Sequence, residues 1–294
     1  MKNLALILLI TLTSFASNKN KTNSLSDVQY KKQDSITFLQ FKKYAEKNEL
    51  HKKSIAEITT STAKYFLKTP YVFQTLRSDK PEHLMIDLHE FNCVTYLENV
   101  VALNLIIQQN KLTFQNFCQT LTKIRYRDGK IDKYPSRLHY FSDWIWDNQK
   151  RNIVKNITAE TGGVEYNKKI SFMSDNSQKY HKLANNPEFI KSIQKTENEI
   201  NKRKLFFLPK NKIEDNKHKI NSGDLIAITT TIEGLDCVHV GFALKKEKQL
   251  YFIHASMAKK EVTISSELLS VYLKNKTKHS GIIIARINKV LKVN

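Results

Sequence analysis

Between residues 35 and 67 the apolar positions Phe38, Phe41, Tyr44 and Ala45, then Ile55, Ile58 and Tyr65, recur three and four apart, which predicts two helices. That period then breaks. KTPYVFQTL and EHLMIDLHEF are short and punctuated by prolines, and they read as extended segments. From residue 93 the helical spacing returns in Leu97, Val100, Val101 and Leu105, predicting a strongly apolar helix over 93 to about 108 with Asn92 as its N-cap. A further helix begins at Thr113, and its apolar face, Phe114, Phe117, Cys118 and Leu121, makes Cys118 core filler. After Asn152 the pattern is less regular and ends in KNKIEDNKHK, which reads as an exposed loop.

In the C-terminal part the period changes to that of strands: GDLIAITTT, VHVGFALK, QLYFIHAS, KEVTIS and GIIIARI, with short connections. A helical front half with an antiparallel sheet behind it makes an α+β domain. A hairpin of 238–245 with 249–256, closed at Lys246 and Glu247, would set His239 directly opposite His254, with Cβ atoms about 5 Å apart on one face. A one-residue slip would separate the rings. His239, Gly241 and Ala243 would face His254, while Val238, Val240 and Phe242 face the other layer. The small residues would leave room beside the histidines for a helix terminus.

The chain opens MKNLALILLITLTSFAS, a lysine followed by an apolar run too short to span a bilayer and a small-residue ending, so 1–17 reads as a secretory signal peptide. Residues 18–35 are polar and without period, a flexible leader, and 36–294 form one domain. The expected protein is exported, periplasmic or extracellular, with no stable membrane insertion. A net charge of +20, spread along the chain, favours an anionic partner. Nucleic acid is not expected, since no nucleic-acid-binding motif is present.

Three cysteines, Cys93, Cys118 and Cys237, cannot all pair within one chain. At the start of a helix, Cys93 meets the positive end of the macrodipole, which favours thiolate over thiol. A nearby imidazole can take and return a proton, and a third polar group can hold that imidazole's orientation. Cys93, His239 and His254 could fill those roles, with the Cys93 N–H as an oxyanion donor. Cys237, His239 and His254 could instead form a zinc site, although Cys93 would then have no role. In the preferred reading there is no metal and no cofactor.

NCVTYLENVVALNL, HVGFAL and FIHAS resemble the Cys, His, His order of the NlpC/p60 papain-like cell-wall hydrolases. Within that superfamily IRYRDG, SRLHYFSDWIWDN, GDLIAITTTIEGLDCVHVGFA and HAS are similar to the N-acetylmuramoyl-L-alanine amidase-like family. The resemblance implies a papain-like α+β fold, with the helical part carrying the cysteine packed on the sheet carrying the histidines. It also implies cleavage of a peptidoglycan amide, with Cys93 as nucleophile, His239 as base and His254 as the orienting group. Muropeptides ending in 1,6-anhydro-muramic acid are the implied substrates and partners. In the wider superfamily an Asp commonly precedes the nucleophile and can hold a free amine of the stem peptide. Asn92 cannot pair with an ammonium, which suits an amidase better than a stem-peptide endopeptidase. A non-catalytic wall-binding protein is the other alternative.

The segment from Arg125 to Trp146 is dense in Arg, Tyr, His, Trp and Asp. Sugars are held by aromatic faces and charged hydrogen-bonders, so Tyr126, Arg137, His139, Tyr140 and Trp144 are the expected substrate-binding residues. The competing reading is a buried polar network bracing the site, with Asp143 paired to Arg137.

Overall fold

The computed structural model describes residues 28–290. The expected signal peptide, and the leader up to residue 27, lie outside them. The folded part begins before residue 36: strand β1 (Val28–Gln29) pairs in parallel with β2 (Leu84–Met85), and helix α1 (Lys32–Lys47) is under way within the segment expected to be leader. Asp34 explains the earlier start. It is buried, and its carboxylate accepts from the Lys31 and Leu88 backbone N–H groups, satisfying the helix entrance.

Helix α2 (Ile55–Tyr65) is opened by a Ser54/Glu57 capping box. Together α1 and α2 supply Phe38, Phe41, Ile58 and Ala63 to the core. Helix α3 (Cys93–Gln108) is buried all round from Thr95 to Ile107, as its nearly continuous apolar sequence requires. Its polar residues are partnered. Asn104 donates to Thr59 Oγ1, and Glu98 accepts from Arg125 at the end of α4 (Phe114–Arg125) and from the indole of Trp144 in α5 (Phe141–Lys150). Cys118 is buried in the core, as expected.

The middle section, unassigned from sequence, holds β3 (Val154–Asn156), β4 (Val164–Glu165), α6 (Phe172–Asp175), α7 (Pro187–Asn201) and β5 (Phe206–Pro209). Asn186 caps α7 and Pro187 sits at its first position. The expected loop 210–219 is instead a series of helical turns around α8 (Ile213–Asn216), anchored by buried Ile213.

The sheet contains β6 (Leu225–Thr230), β7 (Cys237–Lys246), β8 (Gln249–Ser256), β9 (Glu261–Ile264) and β10 (His279–Ile287), with α9 (Leu269–Lys274) before the last strand. Its order is β4-β5-β10-β6-β7-β8-β9, with β3 also on β10, and every pairing is antiparallel. One face, with Val240, Phe242, Leu244, Ile253 and Ala255, packs into the same core as α3. The other, with Ala243, Phe252 and Ile284, packs into a second core with Leu269 and Leu273 of α9. Mixed helix and antiparallel sheet, an α+β fold, is thus observed. No helix among the described residues is long and apolar enough to cross a membrane.

Candidate active site

Asn92 and Thr95 form a reciprocal cap at the start of α3: the Asn92 amide oxygen accepts from the Thr95 N–H at 2.9 Å, and the Asn92 N–H donates to Thr95 Oγ1 at 3.0 Å. The Asn92 amide nitrogen donates to Thr75 Oγ1 at 2.9 Å, tying the preceding loop to the helix entrance. The side chain is fully committed to these contacts, so the capping explanation of this asparagine holds.

Half-buried Cys93 follows at the first helical position, packed against the core on the α3 side of the sheet. The backbone N–H groups of Val240, Val94 and Cys93 itself act to lower its thiol pKa. Burial nevertheless outweighs them and pushes the thiol above its ordinary value. Burial, followed by the charges that His254, His279 and Lys276 carry when protonated, holds His239 well below the usual imidazole range. The desolvation cost of the charge exceeds what the helix terminus, which favours thiolate, returns. Both shifts favour the neutral forms, thiol and imidazole.

The hairpin carrying the histidines differs from the expected register. Its turn is Glu247-Lys248, both at positive φ, and the ladder runs from Lys246 opposite Gln249 to Phe242 opposite Ile253. Each pairing is thereby displaced by two residues from the expected one, which preserves the face but makes His239 and His254 diagonal neighbours. His239 Nε2 and His254 Nδ1 are 2.6 Å apart. His254 is only 2% exposed and stacks on Phe252, with ring centroids 4.6 Å apart. Burial and then Lys276 lower it to about 4.

Gly241 is needed where the ladder ends. A Cβ there would meet Ile253 O at 2.4 Å and His254 Cβ at 2.9 Å. The absence of a side chain at 241 permits this close approach of β8.

Cys237 does not share the face of His239. The β6–β7 register shifts between Ile228, opposite His239, and Thr229, opposite Cys237. This bulge turns Val238 toward the second core and Cys237 toward the first, removing the alternation on which a Cys237, His239, His254 zinc site would rest. Burial and the neighbouring Asp236 raise the Cys237 thiol well above its ordinary value.

Tyr71 and Tyr272 also border the site and gave no sequence signal. Burial raises both phenols, that of Tyr71 to about 12, and a charge on Cys93 would raise each further. Tyr272 packs edge-on against His254, with ring centroids 5.5 Å apart.

A groove of about 560 Å³ opens beside Cys93, where Asn92 and Val94 form part of its wall. Arg137 and His139 line it. Burial and then Arg137 lower His139 to about 3, and its Nε2 donates to Tyr134 O.

The other three expected substrate-binding residues are corrected. Tyr126, Tyr140 and Trp144 are buried and donate to Glu82, Glu197 and Glu98, respectively. Their polar atoms have found internal partners, as buried Tyr and Trp require. The bracing network is therefore real for them, but its pairs differ from the expected one. Arg137 bonds Glu82 at 2.6 Å, while Asp143 binds Arg127 and Arg203.

A half-buried thiol at a helix start and a linked histidine pair on an antiparallel sheet are carried by one α+β protein. Residues 61–282 match the N-acetylmuramoyl-L-alanine amidase-like family, and the chain belongs to that family. It is similar to the crystal structure of an N-acetylmuramoyl-L-alanine amidase from Bacteroides uniformis, with 38% identity and a TM-score of 0.77, covering 80% of this chain and 99% of that one. A Bacteroides fragilis structure carrying a provisional xylanase name is 36% identical, with a TM-score of 0.74, covering 77% of this chain and 99% of that one. A Legionella pneumophila protein shares the fold at 21% identity, with a TM-score of 0.68 over 87% of this chain and 95% of its own. No curated protein matches.

Proposed function

We propose that this protein is an exported peptidoglycan hydrolase that cleaves the amide between the lactyl group of muramic acid and L-alanine through a Cys93, His239, His254 mechanism of the papain-like, NlpC/p60 kind. The reading rests chiefly on one observation: Cys93 opens α3, which packs against β7, the strand of His239, and His239 is itself bonded to His254. Membership of the amidase-like family supports the bond class.

In this mechanism Nδ1 of His239 takes the thiol proton as sulfur attacks the lactyl carbonyl, while its Nε2–H donates to Nδ1 of His254. The neutral resting pair makes proton transfer part of the attack rather than a step before it. The Cys93 N–H, in the first helical turn without an intrahelical acceptor, stabilises the oxyanion. The carbon–nitrogen bond breaks as the imidazolium protonates the leaving L-alanine amine, leaving a muramoyl thioester on Cys93. Water, deprotonated by His239, then releases the sugar carboxylate and restores the thiol.

Muropeptides ending in 1,6-anhydro-muramic acid are the proposed substrates. The test is mass spectrometry of an anhydro-disaccharide tetrapeptide after incubation with the protein. Release of intact tetrapeptide and anhydro-disaccharide supports the amidase, a cut inside the peptide would make it an endopeptidase, and an uncut substrate would remove this substrate class.

A further inference from the structure

The groove beside Cys93 has a charge that the catalytic parts do not explain. Its walls come from 73–85, 134–139 and 172–182, and they carry Arg77, Lys80, Lys179 and Lys182, none within salt-bridge distance of a carboxylate among the described residues. Their contacts are with neutral atoms: Arg77 with Gln74 Oε1, Lys179 with Asn176 Oδ1, and Lys182 with Lys80 O. Among the described residues the one carboxylate lining the groove, Glu82, is 3% exposed and already taken by Arg137 and Tyr126, and Asp79 at its edge is paired with His181. Between the cations lie Leu76, Met85, Val94, Leu138 and Phe172, so the groove joins uncompensated positive charge to an apolar floor.

If the bond at Cys93 is the lactyl amide, the two halves of the substrate differ in charge. The disaccharide is neutral, because the lactyl carboxyl is already an amide. The stem peptide carries the free α-carboxylate of its γ-linked glutamate, the carboxylate of the diamino acid and its terminal carboxylate, on short aliphatic side chains. On this basis, which rests on the proposed amidase reading, we infer that the groove holds the stem peptide and that Arg77, Lys80, Lys179 and Lys182 select it by its free carboxylates, with Lys179 and Lys182 taking the α-carboxylate of the glutamate. A peptide whose glutamate α-carboxylate is amidated is a poorer ligand.

Binding tests this without turnover. Cys93→Ala protein is titrated calorimetrically with L-alanyl-γ-D-glutamyl-diaminopimelate and with the same peptide amidated at the glutamate α-carboxylate. Each lost charge-assisted contact should weaken binding by about tenfold. The Lys179→Gln/Lys182→Gln pair, added to Cys93→Ala, should weaken the acid form about tenfold or more and leave the amidated form nearly unchanged. Lys195→Gln on α7 serves as the distant control and should alter neither. Equal affinity for the two peptides, an equal loss for both in the double lysine variant, or no binding of either would overturn the inference. Failure to cleave the intact muropeptide would instead count against the amidase reading, since peptide binding is read separately.

Discussion

His239 Nε2 lies 2.6 Å from His254 Nδ1, although the hairpin ladder stops at Phe242 and Ile253 and so does not hold the two rings directly opposite. The bond spans the end of the ladder. His254 is buried between Phe252 and Tyr272, whereas His239 is half-buried and meets Phe252 edge-on. In the proposed mechanism His254 is the anchored orienting ring and His239 the working one.

That separation predicts unequal losses. His239→Ala should lower kcat by about a thousandfold or more, and His254→Ala by only about ten- to a hundredfold, because an orienting group is partly dispensable. Steady-state rates on a defined muropeptide decide it, and equal losses would mean that the two rings act as one unit.

Gly241→Ala should damage both stability and rate. The added methyl must displace the Ile253 carbonyl and the His254 side chain, a strain of about 1–3 kcal/mol for overpacking. Thermal denaturation should show the loss, and kcat should fall as His254 moves. A variant as stable and active as the parent would show that the strands separate more freely there than the structure indicates.

Glu98 links α3 to Arg125 and Trp144 in a buried network. Glu98→Gln leaves the Arg125 charge buried without its partner and should cost about 3–5 kcal/mol in chemical denaturation. Helix α3 carries Cys93, so activity should decline in parallel with stability.

The histidines set two pH dependences. His239 is held well below the usual imidazole range, so it remains an unprotonated base as pH falls through 6.5, and the acid limb of kcat/KM should lie below that value. Stability should change earlier. His254 and His279 have folded values of about 4, below the unfolded imidazole, so the unfolded chain binds more protons in this interval. Their contribution is complete above pH 6.5 and is lost as pH falls from there toward 4. A melting temperature that is flat or rising over that interval would contradict this.

Cys118→Ala and Cys237→Ala should keep substantial activity. Iodoacetamide should inactivate through Cys93, and chelators should not. Loss of activity in Cys237→Ala with its fold intact would move the nucleophile.

Much of this was legible in the sequence where local rules dominate. Asn92 and the apolar spacing after it defined α3, and the strand runs anticipated the C-terminal sheet. The hairpin register was not legible, because Glu247 and Lys248 adopt positive φ without an Asn-Gly signal, yet the two-residue displacement kept His239 and His254 on one face. Tyr126, Tyr140 and Trp144 were misread because aromatic density alone cannot tell a sugar platform from a buried brace. The Glu82, Glu98 and Glu197 partners that decide the matter come from distant segments. The groove cations were invisible for the same reason: Arg77 and Lys182 line one groove only once the middle section packs against the 73–85 segment.

The most direct measurement is intact-protein mass spectrometry after rapid acid quench of the protein with an anhydro-disaccharide tetrapeptide. The account predicts an added mass equal to the anhydro-disaccharide acyl group, mapped to the peptide containing Cys93 and absent in Cys93→Ala. A peptide acyl group on Cys93, an adduct on another residue, or turnover by Cys93→Ala would contradict it.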